Sequence, residues 1–360
     1  MTKKHSSSID NFRALAIIAI VIHHTCINVV PDTQYTVPYL IYANLTKYGT
    51  ILFMVISGFL FQKNFHKYSI KSLIDRKIKT VVVPSIPFML IWVFTIFFNC
   101  RNQDVTSLMF SIKNCLLYSP YWFIVNLFFI QIIHYYIKNV NNILNFIFFS
   151  VLTIFYCINI HMGWVATSNT NSTFAYLLFF HIGRIICENM EVIHSYYLKL
   201  IASKLKLTMF ICFVLGLLML SSYESFIIET KPKKYIIDAL NILRIGNICF
   251  SVALFVLFYC MRKQLKLDKW FNGKSVFLIY LIHPYLLSIN NLFCKFSPFT
   301  DTKNHGLEYI PFELFFTILV IVISLKLGNI IQSNKQLAII LDGKWRITRG
   351  VRKLRTAMHR

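Results

Sequence analysis

Charge is scarce in this sequence. Only 14% of its 360 residues are Asp, Glu, Lys or Arg, and just 14 residues are acidic. A soluble domain typically carries about 25% charged residues. With 56% hydrophobic and 16% aromatic residues, the chain cannot cover a water-exposed surface, and a single soluble globule is excluded. The nine cysteines (26, 100, 115, 157, 187, 212, 249, 260 and 294) show no C-x-x-C spacing. They sit mostly in apolar runs and read as small buried hydrophobes rather than metal ligands or disulfides. No long polar linker announces a second soluble domain. No internal repeat is strong enough to argue an inverted-repeat transporter. The first apolar stretch follows Lys3 and Lys4 but lacks a small-residue cleavage site, so it is expected to remain as a helix.

What the chain does contain is apolar segments near residues 13–30, 45–62, 80–98, 121–137, 143–160, 174–190, 207–222, 245–261, 275–291 and 309–331. Each approaches the roughly 17–25 residues that a spanning helix needs. The net charge of +23 would suggest nucleic acid in a soluble protein, but its distribution gives a different account. With the N-terminus in the cytoplasm, ten spans place 26 Lys and Arg inside and eight outside, with Arg13, Arg184 and Arg244 in helix ends. That bias is the positive-inside rule, so the charge reflects topology and anionic lipid, with no nucleic-acid partner. The expectation is an all-α polytopic bundle of ten transmembrane helices with both termini cytoplasmic. Residues 1–332 form its membrane domain and 333–360 a basic tail on the inner leaflet. The external connection around Ser221–Arg244, with Glu224, Glu229 and Lys231-Pro232-Lys233-Lys234, is expected as a loop over the outer face.

The most informative pair lies in the first segment. Eleven positions separate Arg13 from His24, which at about 100° per residue returns to within roughly 20° of the starting face. His23 points roughly 80° away and reads as structural. The rise of about 16 Å puts Arg13 at a membrane boundary and His24 near the middle of a roughly 30 Å hydrocarbon layer. An ionisable group at that depth usually faces the bundle interior and has a function. A neutral imidazole there suits a base, although a packed core histidine is the plainer alternative.

Other candidates follow along the chain. Ser57-Gly58 offers close helix contact or close approach of a ligand to backbone. Arg76-Lys77-Ile78-Lys79, with Arg13, concentrates cations at one cytoplasmic mouth, suited to a phosphorylated ligand. Positive-inside bias explains most of such a run. His283, preceded by Tyr280 and followed by Pro284, enters from the cytoplasm to roughly 12 Å, a level comparable with His24. The two histidines suggest either one polar cavity or separate buried contacts. Tyr121-Trp122-Phe123 opens a helix at the outer interface, where an aromatic belt is the default explanation. Arg184, three residues after His181, is placed to reach Glu188 or Glu191.

Together these pieces resemble the acyltransferase-3 family of integral membrane acyltransferases, which modify bacterial surface polysaccharides and other envelope sugars. The likeness covers nearly the whole chain. It rests on Arg13 and His24, Phe53…Ser57-Gly58-Phe59, Arg76 before Pro84, Tyr121-Trp122-Phe123, and Tyr280…His283-Pro284, in order. The Ile-Asp-Asn-Phe-Arg opening looks closest to the short stand-alone branch that includes enterobacterial-common-antigen O-acetyltransferases. Two positions depart from the family pattern. A paired arginine is here Lys79, and a glutamate found after the tryptophan in many members is here replaced by Asn126.

The resemblance implies an O-acyltransferase of the bacterial inner membrane that takes acyl from acetyl-CoA or another acyl-CoA, with no permanently bound cofactor and no metal. His24, Arg13 and His283 would be catalytic, Arg13, Arg76, Lys79, Ser57 and Gly58 would hold acyl-CoA, and Trp122 and Tyr280 would touch the acceptor. The implied partners are an envelope glycan or lipid-linked sugar, membrane lipids, and a separate periplasmic or extracellular transferase if this chain only passes the acyl group on. Ten helices with buried polar groups also suit a flippase or transporter of a lipid-linked saccharide, or an envelope sensor.

Overall fold

A computed structural model describes residues 3–28, 34–99, 121–165, 172–230, 238–262, 264–295, 304–305 and 310–334, with isolated positions at 106, 109 and 113. The Lys231–Lys234 cluster and the tail from residue 335 lie outside the described residues. All ten apolar segments fall on helices: α1 (Lys3–Asn28), α3 (Gly49–Asn64), α5 (Val83–Asn99), α6 (Trp122–Tyr136), α7 (Asn142–Met162), α8 (Thr173–Glu188), α10 (Lys204–Thr230), α11 (Ile245–Met261), α12 (Gly273–Lys295) and α13 (Ile310–Ser333). Among the described residues three shorter α-helices join them: α2 (Val37–Leu45), α4 (Ile70–Lys77) and α9 (Met190–Ile201). The strand pairing among the described residues is a two-residue parallel contact of Gln34 with Asn304 and Tyr35 with His305.

Local chemistry explains several boundaries. The Ser69 hydroxyl accepts from the Ser72 amide at 3.3 Å and caps α4, while Asn141 accepts from Ile143 N at 2.7 Å and caps α7. These side chains satisfy amides that have no partner in a first helical turn. Helix α7 ends at Gly163, whose φ of 61° lies in the left-handed region that glycine enters without a Cβ penalty.

The outside of the bundle is apolar. Ile143 and Phe155 on α7, Leu205 and Met209 on α10, and Phe315 and Ile318 on α13 are each more than 60% exposed. Polar groups such as Asn44, His181, Arg184, Arg244 and Glu313 are buried. Among the described residues, five helical stretches are long and apolar enough to cross a membrane: Val37–Lys67, Ile70–Phe94, Asn142–Met162, Lys204–Thr230 and Ile310–Ser333. Trp122–Tyr136 and Ile245–Met261 are shorter apolar helices. An apolar exterior around a polar interior is the arrangement of a protein dissolved in lipid.

The structure corrects the expected external loop at its start. Helix α10 continues to Thr230, so Ser221 to Thr230 are helical. Ser221, Ser222, Glu224 and Ser225 resemble loop residues in sequence but are buried; Ser221, Glu224 and Ser225 partner polar groups on neighbouring segments, and Ser222 bonds back to Leu218 O. Glu224 takes the amides of Ile245 at 3.1 Å and Gly246 at 2.7 Å, satisfying the start of α11, and sits 2.8 Å from His161 Nε2.

Helices α3 and α8 touch backbone to backbone. A Cβ at Gly58 would lie 1.9 Å from Phe180 O, and one at Gly183 would lie 2.0 Å from Val55 O. The pair of glycines therefore sets the interhelical distance, the usual role of small residues between membrane helices. Helix α1 packs against α3, α12 and α13. Asn11 ties it to the connection before α12, donating to Leu265 O at 2.9 Å and accepting from Asp268 N at 2.7 Å.

Gly58→Val is expected to force α3 and α8 apart, destabilising the fold by at least about 2 kcal/mol. The check is a lower midpoint in detergent thermal unfolding, and an unchanged midpoint would contradict the backbone contact.

Candidate functional site

The face of α1 predicted from residue spacing lines two cavities. The lower is an apolar cleft of about 170 Å³ whose walls include Arg13, Phe53, Ser57, Leu60, Phe123, Gly273 and Tyr280. The upper is a polar chamber of about 110 Å³ walled by His23, His24, Thr46, Lys47, Thr50, Trp122, Asp238 and Asn241. Ile20 borders both. Along the helix it stands about 10 Å above Arg13 and 6 Å below His24.

At the lower end Arg13 pairs with Asp10 at 2.9 Å. Its guanidinium passes beside Gly273, where a Cβ would come within 2.7 Å of Nη1. The cations of the next segment divide. Lys77 is within electrostatic reach of both Arg76 and Arg13. Lys79 is exposed and held by Asp75 at 2.6 Å, four residues back. Arg76 lies over the Tyr68 ring at 4.9 Å. The mouth is thus drawn from Arg13, Lys77 and Arg76, with Lys79 engaged on its own helix. Ser57 lines the cleft. Gly58 faces Phe180 on the other side, so packing occupies the space that a ligand would need.

At the upper end the ring centres of His24 and His283 are 5.4 Å apart, bringing the two histidines together from α1 and α12. His283 is 1% exposed, and its Nδ1 lies 3.0 Å from Ile279 O. A carbonyl only accepts, so Nδ1 carries the proton and Nε2 the lone pair. Nε2 has no hydrogen-bond partner among the described residues. Pro284 lacks the N–H that would have bonded Tyr280 O, which loosens this turn.

The aromatic triplet divides its duties. Tyr121 is fully buried and donates to Leu281 O at 2.9 Å, fastening α6 to the loosened turn. Trp122 walls the chamber and packs on Tyr176 with ring centres 5.4 Å apart. Phe123 walls the cleft against Phe53 and Tyr280, each 6.0 Å away. The Tyr280 ring is 5.9 Å from that of His283. An interfacial belt does not account for a triplet buried in this way.

Asn126 is buried and accepts from Thr173 at 2.8 Å, while the acid that reaches the chamber is Asp238, at an exposed position on its rim. Arg184 is 1% exposed and donates through Nε to Gln62 at 2.9 Å. Gln62 in turn donates to Glu188 at 2.6 Å, so the expected link from Arg184 to Glu188 runs through an amide.

Residue spacing had set His23 aside, yet it borders the chamber, and its Nε2 lies 2.5 Å from Lys47 Nζ. Lys47 is 3% exposed, a burial that lysine rarely shows unless its side chain is paired. Sequence reasoning counted it as an external loop charge. The signal for it was local: Lys47 precedes Gly49-Thr50 at the entry of an apolar segment, close to the level of His24.

The family model described as an acyltransferase domain, acyltransferase-3, matches residues 6–328. The chain belongs to the acyltransferase-3 family. With its apolar helices, it is a membrane acyltransferase. No curated protein and no solved structure gives a significant match. Of the residues of the sequence resemblance, Arg13, His24, Phe53, Ser57, Trp122, Phe123 and Tyr280 line the cleft or the chamber, whereas Gly58, Phe59, Arg76, Pro84, Tyr121, His283 and Pro284 stand outside both linings.

Tyr121→Phe removes one buried hydrogen bond to Leu281 O. A loss of about 1 kcal/mol is expected, read as a lowered unfolding midpoint in detergent. A midpoint equal to that of the unaltered protein would count against the tether.

Proposed function

We propose that the protein is an O-acyltransferase that moves an acyl group, acetyl in the first instance, from cytoplasmic acyl-CoA to a hydroxyl of an envelope glycan or lipid-linked sugar. One observation carries this reading. An apolar cleft that begins at a cationic mouth meets, at Ile20, a polar chamber walled by His24, which is in ring contact with His283. In this reading the phosphates of CoA pair with Arg13, Arg76 and Lys77, and with Lys79 once it leaves Asp75. The thioester arm then runs along the cleft past Ser57 and Tyr280. The acceptor enters over Asp238 and Asn241 and lies against Trp122.

The chemistry follows from the groups present. A sugar hydroxyl is a poor nucleophile at neutral pH, so a base must take its proton as it attacks. His24 is that base. The hydroxyl oxygen bonds to the thioester carbon, the C–S bond breaks, and the thiolate recovers the proton from His24. His283, with its lone pair on Nε2, accepts a hydrogen bond from the His24 imidazolium formed during attack or from a neighbouring acceptor hydroxyl. In that tautomer it has no donor for the oxyanion, a role the family resemblance alone had left open to it.

The same reading takes the ten apolar helices as ten spans of the inner membrane with both termini in the cytoplasm. Helix α1 then starts inside, which puts the Arg13 mouth on the acyl-CoA side and the Asp238 rim on the far side. Reporter fusions check this. Alkaline phosphatase joined after Gly163 should be active, and β-galactosidase joined after Arg262 should be active. The reverse pattern would refute the topology.

His24→Ala, at normal protein level and membrane insertion, should abolish transfer of label from radiolabelled acetyl-CoA to the membrane glycan fraction. Arg13→Ala should raise the KM for acetyl-CoA with a smaller effect on kcat. Undiminished labelling in His24→Ala would sink the assignment of the base.

A further inference from the structure

An oxyanion forms wherever a hydroxyl adds to a thioester carbonyl, and the described wall of the chamber contains one ammonium. Lys47 is 3% exposed, borders the same cavity as His24, and lies 2.5 Å from His23 Nε2. With Lys47 protonated, its ammonium can only donate, so this contact assigns the Nε2 lone pair to His23. His23 Nδ1 then carries that ring's proton and has no hydrogen-bond partner among the described residues. His283 presents a lone pair, as its bond to Ile279 O dictates. His24, acting as base, does likewise.

The chamber therefore offers His24 to accept a proton, with the His283 ring beside it, and among its described lining one cation able to stabilise the charge that the same step creates. A fixed positive group in a site screened from water acts far more strongly on a developing charge than it would in bulk solvent. Thr46 and Thr50 flank the lysine on the same wall, and Asn44 anchors the segment from three residues away. The ammonium is thus held on a fixed stretch of backbone, without the freedom of a surface lysine.

We infer that Lys47 is a further catalytic residue, whose ammonium, oriented by His23, stabilises the oxyanion formed when the acceptor hydroxyl adds to the acyl thioester. The inference rests on the acyl-transfer reading. In balanced form, the hydroxyl proton passes to His24 as the C–O bond forms, and the carbonyl π pair becomes the oxyanion beside Lys47. That pair returns as the C–S bond breaks, and the thiolate takes the proton back from His24. Lys47 keeps its own protons throughout, so its charge is required and its basicity is not.

The test measures transfer from radiolabelled acetyl-CoA to the glycan fraction of membranes carrying the full chain, beside acetyl-CoA binding to the same protein. Lys47→Met should lower kcat by about 10²–10³-fold with acetyl-CoA binding unchanged, because CoA is held at the opposite end of the cleft. Lys47→Arg, which keeps a charge but can act neither as base nor as acyl carrier, should retain measurable transfer. Wild-type kcat in Lys47→Met overturns the proposal, and so does an Arg variant as inactive as the Met variant. If Lys47→Met does not accumulate as folded protein, Lys47→Ala titrated with methylammonium replaces it. A saturable return of kcat supports the role, and no return overturns it. A wild-type chain that binds acetyl-CoA without labelling glycan overturns the acyl-transfer reading as well, whereas an active wild type with a fully active Lys47→Met overturns Lys47 alone.

Discussion

The walls of the chamber depend on one buried guanidinium. Arg244 is fully buried, and such a charge is tolerated only where its donors are met. Its Nε donates to Asn241 O at 2.9 Å and its Nη1 to Ser221 O at 2.6 Å. Nη1 also contacts Ser225 Oγ, and Nη2 contacts Asn44 Oδ1. These partners belong to three separate parts of the chain. Asn44 is three residues before Lys47, and Asn241 is three residues after Asp238, so a single side chain fixes both segments that close over His23 and His24. Glu224, one residue from the serine network, satisfies the start of α11 at Ile245 and Gly246. The polar cluster is thus a frame, and the segments that carry Lys47 and Asp238 hang from it.

That frame accounts for the division of the site. Below Ile20 the cleft is lined mostly by aliphatic and aromatic side chains, where a long flexible arm loses water at little cost. Above it stand imidazoles, an ammonium, threonines and a tryptophan, the set expected where a hydroxyl is to be held and deprotonated. The two regions share one helix face because α1 runs past both. The opposing wall comes from α12, where Pro284 cannot donate to Tyr280 O and Tyr121 holds the neighbouring Leu281 O. The motif residues are therefore spread over α1, α3, α6 and α12 and acquire common purpose only when those helices pack together.

This explains what could be read from the chain beforehand. Periodicity is a local property, so the shared face of Arg13 and His24 and the helices themselves were legible, whereas the aromatic triplet read as an interfacial belt. The approach of His24 to His283 was legible too, as one of two open readings. Buried polar networks are a different matter. Ser221, Ser222, Glu224 and Ser225 have the composition of a loop, and only Arg244 and the start of α11 make them interior helix. Asn44 and Arg244 are 200 residues apart, and no spacing rule pairs them. Lys47 was counted as an external charge because the positive-inside argument sums over loops and takes no account of burial. Gly58 had two readings, and the Phe180 backbone selects packing. Lys77 joins Arg13 where Lys79 was expected, because Asp75 captures Lys79 within its own helix.

The junction between cleft and chamber is the last consequence of this packing. Ile20 is 9% exposed and borders both cavities. It fits there because residue 49 has no side chain: a Cβ at Gly49 would fall 2.7 Å from Ala16 O and 2.8 Å from Ile20 Cγ1. Glycine thus brings α3 close enough for a single isoleucine to separate the apolar arm from the polar chamber. A branched hydrocarbon at that point hinders water from passing along the cleft, yet it can change rotamer at far lower cost than a helix can move. In the proposed reaction the thioester carbonyl would pass this side chain to reach His24, and side-chain packing at one turn of α1 is what stands between the cleft and the chamber.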